Sequence, residues 1–426
     1  MRILITGANG FVGSHLASTL MKLGHEVVAC VRNIDNYKRH HQSFGVIKCD
    51  YSQDTSIENW LPRLTGIDVV INAVGIINDT HMQTFDALHY KTPVALFDAC
   101  QHLNIKKIIQ ISALGADENA VSQFHISKRA ADDYLMTLDL DWVIVMPSIA
   151  YGRGAKSMSF FTALAALPIT PIIDTGNQEI QPIHINDFTA AITQLISPLA
   201  PTRTKISFVG PTPLTMHEIF VMLKKWMGIR KIRFIRVPFK IALNATWLNK
   251  LLPDSLITKE SIYMLNNGNT ASPDPFITTF GFKPRSLAYS LENTPAQQAD
   301  KWHAKLLLLR PLLIFSIAFI WIYTGIISAF IYPIESSYAL LARIGVTDLL
   351  APISLYSAVA LDFTLGITTL LRYRLKCLGM IQIAIIISYS LLITLFIPEQ
   401  WTHPFGPVSK NIPLIVAILI MIALED

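Results

Sequence analysis

Short apolar runs broken by polar, glycine-bearing turns fill the chain up to about Asp300, and long unbroken apolar runs fill the rest. Ile3, Leu4 and Ile5 form the continuous apolar run of a strand buried on both faces. Gly7, Gly10 and Gly13 follow at equal spacing, and Phe11, Val12, Leu16 and Leu20 then recur at helical spacing. Further strands are expected at Glu26–Val31, Gly45–Cys49, Asp68–Asn72 and Lys106–Ile111, with a helix over Lys91–Leu103. Strands alternating with helices predict an α/β doubly wound parallel sheet with helices on both faces.

Beyond the polar stretch 296–305, expected to be a linker, the pattern changes. Leu309–Phe330, Pro352–Leu371 and Leu378–Ile397 each approach the ~20 apolar residues needed to cross a bilayer. Asn411–Leu424 is shorter and reaches across only with help from its flanks or local thinning. The expectation is a soluble domain over 1–295 and an all-α transmembrane four-helix bundle over 306–426.

Composition sharpens this division. The 426 residues carry a net charge of +5 and only 15% charged residues. No basic stripe is interleaved with aromatics, which argues against nucleic-acid binding. Cys30, Cys49, Cys100 and Cys377 show no CxxC or Cys/His spacing, so no metal site is expected. They read as reduced and structural, in keeping with a cytosolic soluble part. The N-terminus begins at once with strand and glycine turn and is not expected to be a signal peptide.

Strand, glycine turn and helix in that order put the amides of a helix N-terminus where they can hold a pyrophosphate. Thr6, Gly7, Asn9, Gly10, Phe11, Val12 and Gly13 are the residues concerned. In open parallel sheets the ligand lies at the carboxyl ends of the strands. Arg32, Asp50, Asn72-Ala73-Val74-Gly75 and Ser112 all stand at such ends. An arginine after the second strand suits a ribose 2′-phosphate, so Arg32 favours NADP(H). Asp35 nearby keeps NAD(H) open.

These motifs resemble the short-chain dehydrogenase/reductase superfamily in its extended or atypical branches. The resemblance rests on Thr6 to Gly13, Asn72 to Gly75, Ile111-Ser-Ala-Leu-Gly115, Phe124-His-Ile-Ser-Lys128, Pro147 to Gly152 and Gln181 to Asp187. It implies an NAD(P)-binding Rossmann fold with a small substrate lobe, over about 150–190 and 206–295. In that lobe a strand is expected near Ile206–Val209 and a helix over Met216–Met227 capped by Thr215. Further helices are expected near Phe239–Leu252 and Thr258–Leu265. The resemblance also implies catalytic roles for Ser112 and Lys128, the latter holding the nicotinamide ribose. The family's tyrosine, four residues before the lysine, is replaced by Phe124, which cannot exchange a proton. His125 is turned about 100° away on a helix of ~3.6 residues per turn, Tyr151 is a displaced alternative, and His184 either faces the nicotinamide or packs in the lobe.

The membrane part resembles the DoxX-like four-helix family through Trp321 to Ile326, Leu361 to Gly366 and His403 to Asn411. Asp362 sits within an apolar span, where an acid must face other helices or a polar cavity. With the soluble domain inside, Lys301, Lys305, Arg310, Arg372, Arg374 and Lys376 flank the cytoplasmic side, against Arg343 and Lys410 opposite. That agrees with the positive-inside rule and with a bacterial inner membrane. The basic and apolar stretch Arg230–Lys240 lies either against anionic headgroups or in solvent. Three functions compete. The first is a membrane-anchored NADP(H)-dependent oxidoreductase for a lipid or quinone-type substrate. The second is a non-catalytic NADP(H)-binding sensor or assembly module of a membrane redox complex, like the complex I accessory subunit of similar fold. The third is a sugar-nucleotide epimerase or dehydratase.

Overall fold

Seven parallel strands carry the first of two units in the computed structural model, which describes residues 1–40, 45–246 and 258–425. The units are Met1–Ala304 and Lys305–Asp426. In chain order the sheet is built from β1 (Arg2–Thr6), α1 (Phe11–Lys22), β2 (Glu26–Val31), α2 (Ile34–His40), β3 (Gly45–Lys48), α3 (Ile57–Leu64), β4 (Val69–Asn72), α4 (Thr92–His102), β5 (Lys107–Ile111), α5 (Gln123–Thr137) and β6 (Trp142–Pro147). Ile3 and Ile5 pack with Leu16, Leu20 and Phe188 on one face, and Leu4 with Trp60, Leu96 and Phe97 on the other. That two-sided burial is why β1 reads as an unbroken apolar run. Neighbouring strands follow the order β3-β2-β1-β4-β5-β6, so the chain reverses direction across the sheet between β1 and β4. The crevice at that reversal is where such folds take a ligand.

The rest of the unit is β7 (Ala150–Tyr151), α6 (Lys156–Ala166), β8 (Thr170–Ile173), β9 (Glu179–Ile180), β10 (Ile183–His184), α7 (Ile185–Leu195), β11 (Thr204–Phe208), β12 (Leu214–Thr215), α8 (Met216–Trp226), β13 (Phe234–Val237), α9 (Phe239–Asn244), α10 (Lys259–Asn266), α11 (Asp274–Phe280) and α12 (Leu287–Asn293). The strand expected near Ile206–Val209 is β11, and it belongs to the central sheet, not to the lobe. It pairs in parallel with β6, Ile206 opposite Val145. Its assignment is made by distant partners: Phe208 packs edge-on against Phe188, Phe276 and Phe280. The lobe has its own core, where Ile219, Phe220 and Leu223 of α8 meet Tyr151, Ala165 and Ile172. Thr215 and Glu218 close a capping box at the start of α8. The helix expected to reach Leu252 is seen only as α9, its remainder lying outside the described residues.

The cysteine expectation is corrected. Cys30 and Cys49 form a disulfide, with Cα atoms 5.5 Å apart. Cys30 stands opposite Ile47 in the β2–β3 ladder, and Cys49 lies two residues further on, just past β3. Spacing in sequence carries no trace of that register. Cys100 and Cys377 are free.

The second unit is helical: α13 (Gln298–Ile326), α14 (Ile334–Arg343), α15 (Leu350–Leu370), α16 (Leu375–Phe396) and α17 (Asn411–Ala423). Within the stretch 296–305 the chain is already helical, α13 beginning at Gln298. The Asp300 carboxylate accepts from the Gln297 amide at 2.8 Å and caps that start. Among the described residues three helices are long and apolar enough to cross a membrane, the first continuing to Ile331, while α17 has 13 residues. At ~1.5 Å rise per residue α17 covers ~20 Å, short of a full crossing. Close backbone approach sets the packing of α15 on α13, where a Cβ on Gly366 would fall 2.4 Å from Ile322 Cγ1. Asp362, on α15, is 6% exposed and has no hydrogen-bond partner among the described residues.

Candidate functional site

The glycine turn is built by contacts that leave no room for side chains. Gly7 has φ +65°, and a Cβ there would lie 2.8 Å from Ala73 O; one on Gly13 would lie 2.2 Å from Gly7 O. The turn closes through Gly10 N donating to Gly7 O at 2.9 Å. No side chain caps α1, so its first amides, at Phe11, Val12 and Gly13, are left for an anion. Asn9 and Gly10 are exposed at the rim. A dinucleotide's pyrophosphate fits that cradle.

Thr6 and Asn72 lie inward of it and hold strands together. Asn72, 1% exposed, accepts at Oδ1 from Thr6 Oγ1 and from the Tyr51 hydroxyl, both at 2.7 Å. Its Nδ2 donates to Gln110 Oε1 at 2.7 Å. Ala73 N completes the link by donating to Thr6 Oγ1 at 3.2 Å. At the ends of β2 and β3, Arg32 is exposed with no side-chain partner among the described residues. Asp50 is used locally, accepting at Oδ1 from the amide and hydroxyl of Ser52.

The opposite end of the crevice is crowded with side chains. Lys128, 4% exposed on α5, donates from Nζ to Val74 O at 2.9 Å and Ile111 O at 3.1 Å. A Cβ on Gly75 would stand 3.4 Å from that Nζ, so the ammonium lies directly beneath the Val74–Gly75 backbone. Burial pulls the Lys128 pKa down to about 8. Ser112 Oγ donates to Asp132, one helical turn beyond Lys128. Burial lifts the Asp132 carboxyl to about 6.

Phe124, one turn before Lys128, packs against aromatic rings: His89 at 5.4 Å, His125 at 5.2 Å and Phe85 at 6.3 Å. His89 sits in the π-helical turn Asp86–Lys91. Its Nε2 accepts from Ile76 N at 3.0 Å, which leaves the proton on Nδ1 for Ser127 Oγ at 2.8 Å. Burial, then the charge of Lys128, lowers its pKa to about 2, so it stays neutral. His89 and Asp132 were not singled out from sequence. The Phe124, Lys128, Asp132 spacing places three residues on one helical face and was a legible signal for the acid. Nothing local marks His89.

The other candidates face elsewhere. His125 Nδ1 lies 3.0 Å from Ser122 Oγ, and its ring is against Gly115. The Tyr151 hydroxyl is held by Ser290 Oγ at 2.7 Å and Ser286 O at 3.2 Å, and burial raises its pKa to about 12. His184 packs on the Tyr151 ring and accepts from Asn186 N at 3.1 Å. Burial lowers it to about 4.

A cavity of about 330 Å³ opens in the lobe, lined mainly by apolar side chains that include Ile77, Ile149, Phe160, Phe161, Phe220 and Leu265. Ile77, the lining residue nearest in sequence to the crevice, is two residues past Gly75.

Residues 7–157 match the NAD(P)H-binding family and residues 318–419 the DoxX-like family. Over 251 residues the chain is 26% identical to NADH dehydrogenase (ubiquinone) 1 alpha subcomplex subunit 9 of Arabidopsis thaliana, covering 56% of this chain and 60% of that protein. Less than two thirds of that relative is therefore spanned. Over 239 residues the chain is 27% identical to the ceramide reductase of Caulobacter vibrioides, covering 55% of this chain and 73% of that protein. Among solved structures, UDP-glucuronic acid 4-epimerase from Bacillus cereus, in complex with UDP-glucuronic acid and NAD, superposes with TM-score 0.53 at 20% identity. It covers 72% of this chain and all of that one, 100%. UDP-glucose 4-epimerase from Thermotoga maritima gives 0.53 at 15% identity, covering 69% and 97%. At these identities the likeness is one of fold.

Proposed function

We propose that this chain, which joins an NAD(P)H-binding Rossmann domain to a DoxX-like domain, is a membrane-anchored NADP(H)-dependent oxidoreductase for a lipid or quinone-type substrate. The observation that carries this reading is the apolar cavity of the lobe, which Ile77, two residues past Gly75, helps to line. A site of that size and lining takes an alkyl or prenyl chain and offers the hydroxyls of a sugar few partners. When bound, the nicotinamide supplies or accepts a hydride. Arg32, exposed and unpaired among the described residues, supports NADP(H) through a charge-assisted contact to the 2′-phosphate. Lys128 holds the ribose and, with a pKa near the working pH, is the side chain suited to exchange a proton with the substrate oxygen directly or through water. Ser112, bound to Asp132, positions that end of α5. The name of the ceramide reductase relative is consistent with a lipid substrate. The disulfide removes the cysteine argument for a reducing compartment, so a cytoplasmic soluble domain and C-terminus rest on the loop charges.

The test is NADPH oxidation by the detergent-purified chain with long-chain carbonyl or quinone acceptors, against a Gly10→Asp control. Absence of oxidation above that control defeats the proposal. A second reading, a non-catalytic NADP(H)-holding module of a membrane redox complex, is favoured by one observation: Phe124 and neutral His89 put no acid where the family's tyrosine stands. The subunit name of the Arabidopsis relative is in keeping with it. Steady turnover by the unaltered chain removes it.

A further inference from the structure

The wall of the lobe cavity has an outer face of cations and exposed isoleucines. Val237 of β13 and Ala242 of α9 line the cavity. On the same two elements Ile235 and Ile241 point outward, 55% and 59% exposed, with Ile232 just before them at 37%. Arg230, Lys231, Arg233, Arg236 and Lys240 surround these isoleucines, all exposed. None of the five forms an ion pair among the described residues, although ten other pairs are found there. The nearby Asp174 is committed to the backbone, accepting from the Phe239 amide at 3.0 Å. Among the described residues β13 pairs only with β8. Five unpaired cations and three exposed isoleucines within twelve residues make one face that is basic and apolar together.

From this we infer that the β13–α9 face docks on an anionic lipid surface, with the isoleucines entering the headgroup layer and the cations meeting lipid phosphates. The charge is complementary, and each lysine or arginine near such a surface contributes ~1 kcal/mol. Exposed aliphatic side chains between the cations supply the apolar part of an interfacial contact. The inner side of the same wall lines the cavity, so a lipid leaving the bilayer meets the cavity wall first. The route deepens the oxidoreductase reading, whereas the docking itself stands without it.

The full chain is placed in nanodiscs of phosphatidylcholine alone or with phosphatidylglycerol, and backbone hydrogen exchange is followed over residues 230–241. Exchange is expected to slow about tenfold in the anionic discs at low salt, equal to ~1.4 kcal/mol, and to recover in high salt. The variant Arg230→Gln, Lys231→Gln, Arg233→Gln, Arg236→Gln and Lys240→Gln is expected to exchange at one rate in both discs. Its thermal midpoint, matched to that of the unaltered chain, shows that the domain remains folded; should it not match, Ile235→Asn with Ile241→Asn serves in its place. Equal exchange of the unaltered chain in both lipids overturns the inference. Protection that depends on protein concentration instead of lipid charge also overturns it and assigns the face to a second copy. The readout needs no turnover, so failure of the enzymatic reading and failure of docking are told apart.

Discussion

The two ends of the cofactor crevice are made of different material. At the glycine turn the wall is backbone: Gly7, Gly10 and Gly13 bring amides and carbonyls within contact of one another, and no side chain is needed. At the Lys128 end the wall is side chains, with Phe124, His89 and Ser127 held to one another and Ser112 held to Asp132. Backbone geometry tolerates almost no substitution, so a wall of that kind announces a ligand. A wall of side chains can exchange its chemistry while keeping its shape. Phe124 occupies the place and size of a tyrosine without its hydroxyl.

The contrast is sharpened most by removing the Lys128 ammonium. Lys128→Met is expected to lower kcat for NADPH oxidation by ~10²–10⁴-fold, the usual worth of a positioned acid–base group, with a smaller change in nucleotide affinity. Stopped-flow assays and fluorescence titration separate the two. A change in affinity alone would make the lysine a binding group. At the other end Gly13→Ala forces a Cβ to within 2.2 Å of Gly7 O. It is expected to cost about 1–3 kcal/mol or more, read as a fall in thermal midpoint together with loss of retained nucleotide.

Arg32→Glu is a milder probe of the backbone-built end. Replacing an attractive charge with a repulsive one is expected to weaken NADPH binding about ten- to a hundredfold, from ~1.5–3 kcal/mol for a hydrogen bond to a charged group. NADH binding should stay unchanged or tighten, and equal losses for both nucleotides would sink the assignment.

The smallest effect concerns pH. Burial raises the folded-state pKa of Asp132 from 3.8 to about 6. Below the lower value both states are protonated. Between about pH 4 and 6 the folded state binds more protons than the unfolded one, so stability falls as pH rises through that window. Asp132→Asn keeps an acceptor for Ser112 and removes the titration. Thermal midpoints across that range are expected to lose this downward slope, and at pH 7 the variant should be more stable by ~1–2 kcal/mol.

Much of the fold was readable from residues alone because its signals are local. A run buried on two faces, three glycines and a helical stripe are all contained in Arg2–Leu20, and α8 begins at its Thr215 cap as expected. What escaped depends on partners far along the chain. Nothing in Thr204–Phe208 tells which sheet it joins; β6 and the phenylalanines of α7 and α11 decide that. The Cys30–Cys49 bond depends on β3 lying beside β2. The start of α13 was hidden for another reason, since polar residues of good helix propensity make a helix without an apolar stripe. At the site, the absence of a tyrosine was plain in Phe124. The rings that enclose it come from the turn before α4, thirty-five residues away for His89, and no spacing rule connects them.

The Asn72 cluster bears on how the domain is assembled. Its partners Thr6, Tyr51 and Gln110 lie 66, 21 and 38 residues away. Those bonds close only after β1, β4 and β5 have come together, and contacts of such separation are costly to form early. Closing the carboxyl-end crevice therefore carries a large loop-closure cost. A nucleotide that binds only the finished crevice selects complete molecules from incomplete ones and holds them there by mass action. Even a chain that never turned over would gain from its ligand in this way, as a check on its own maturation.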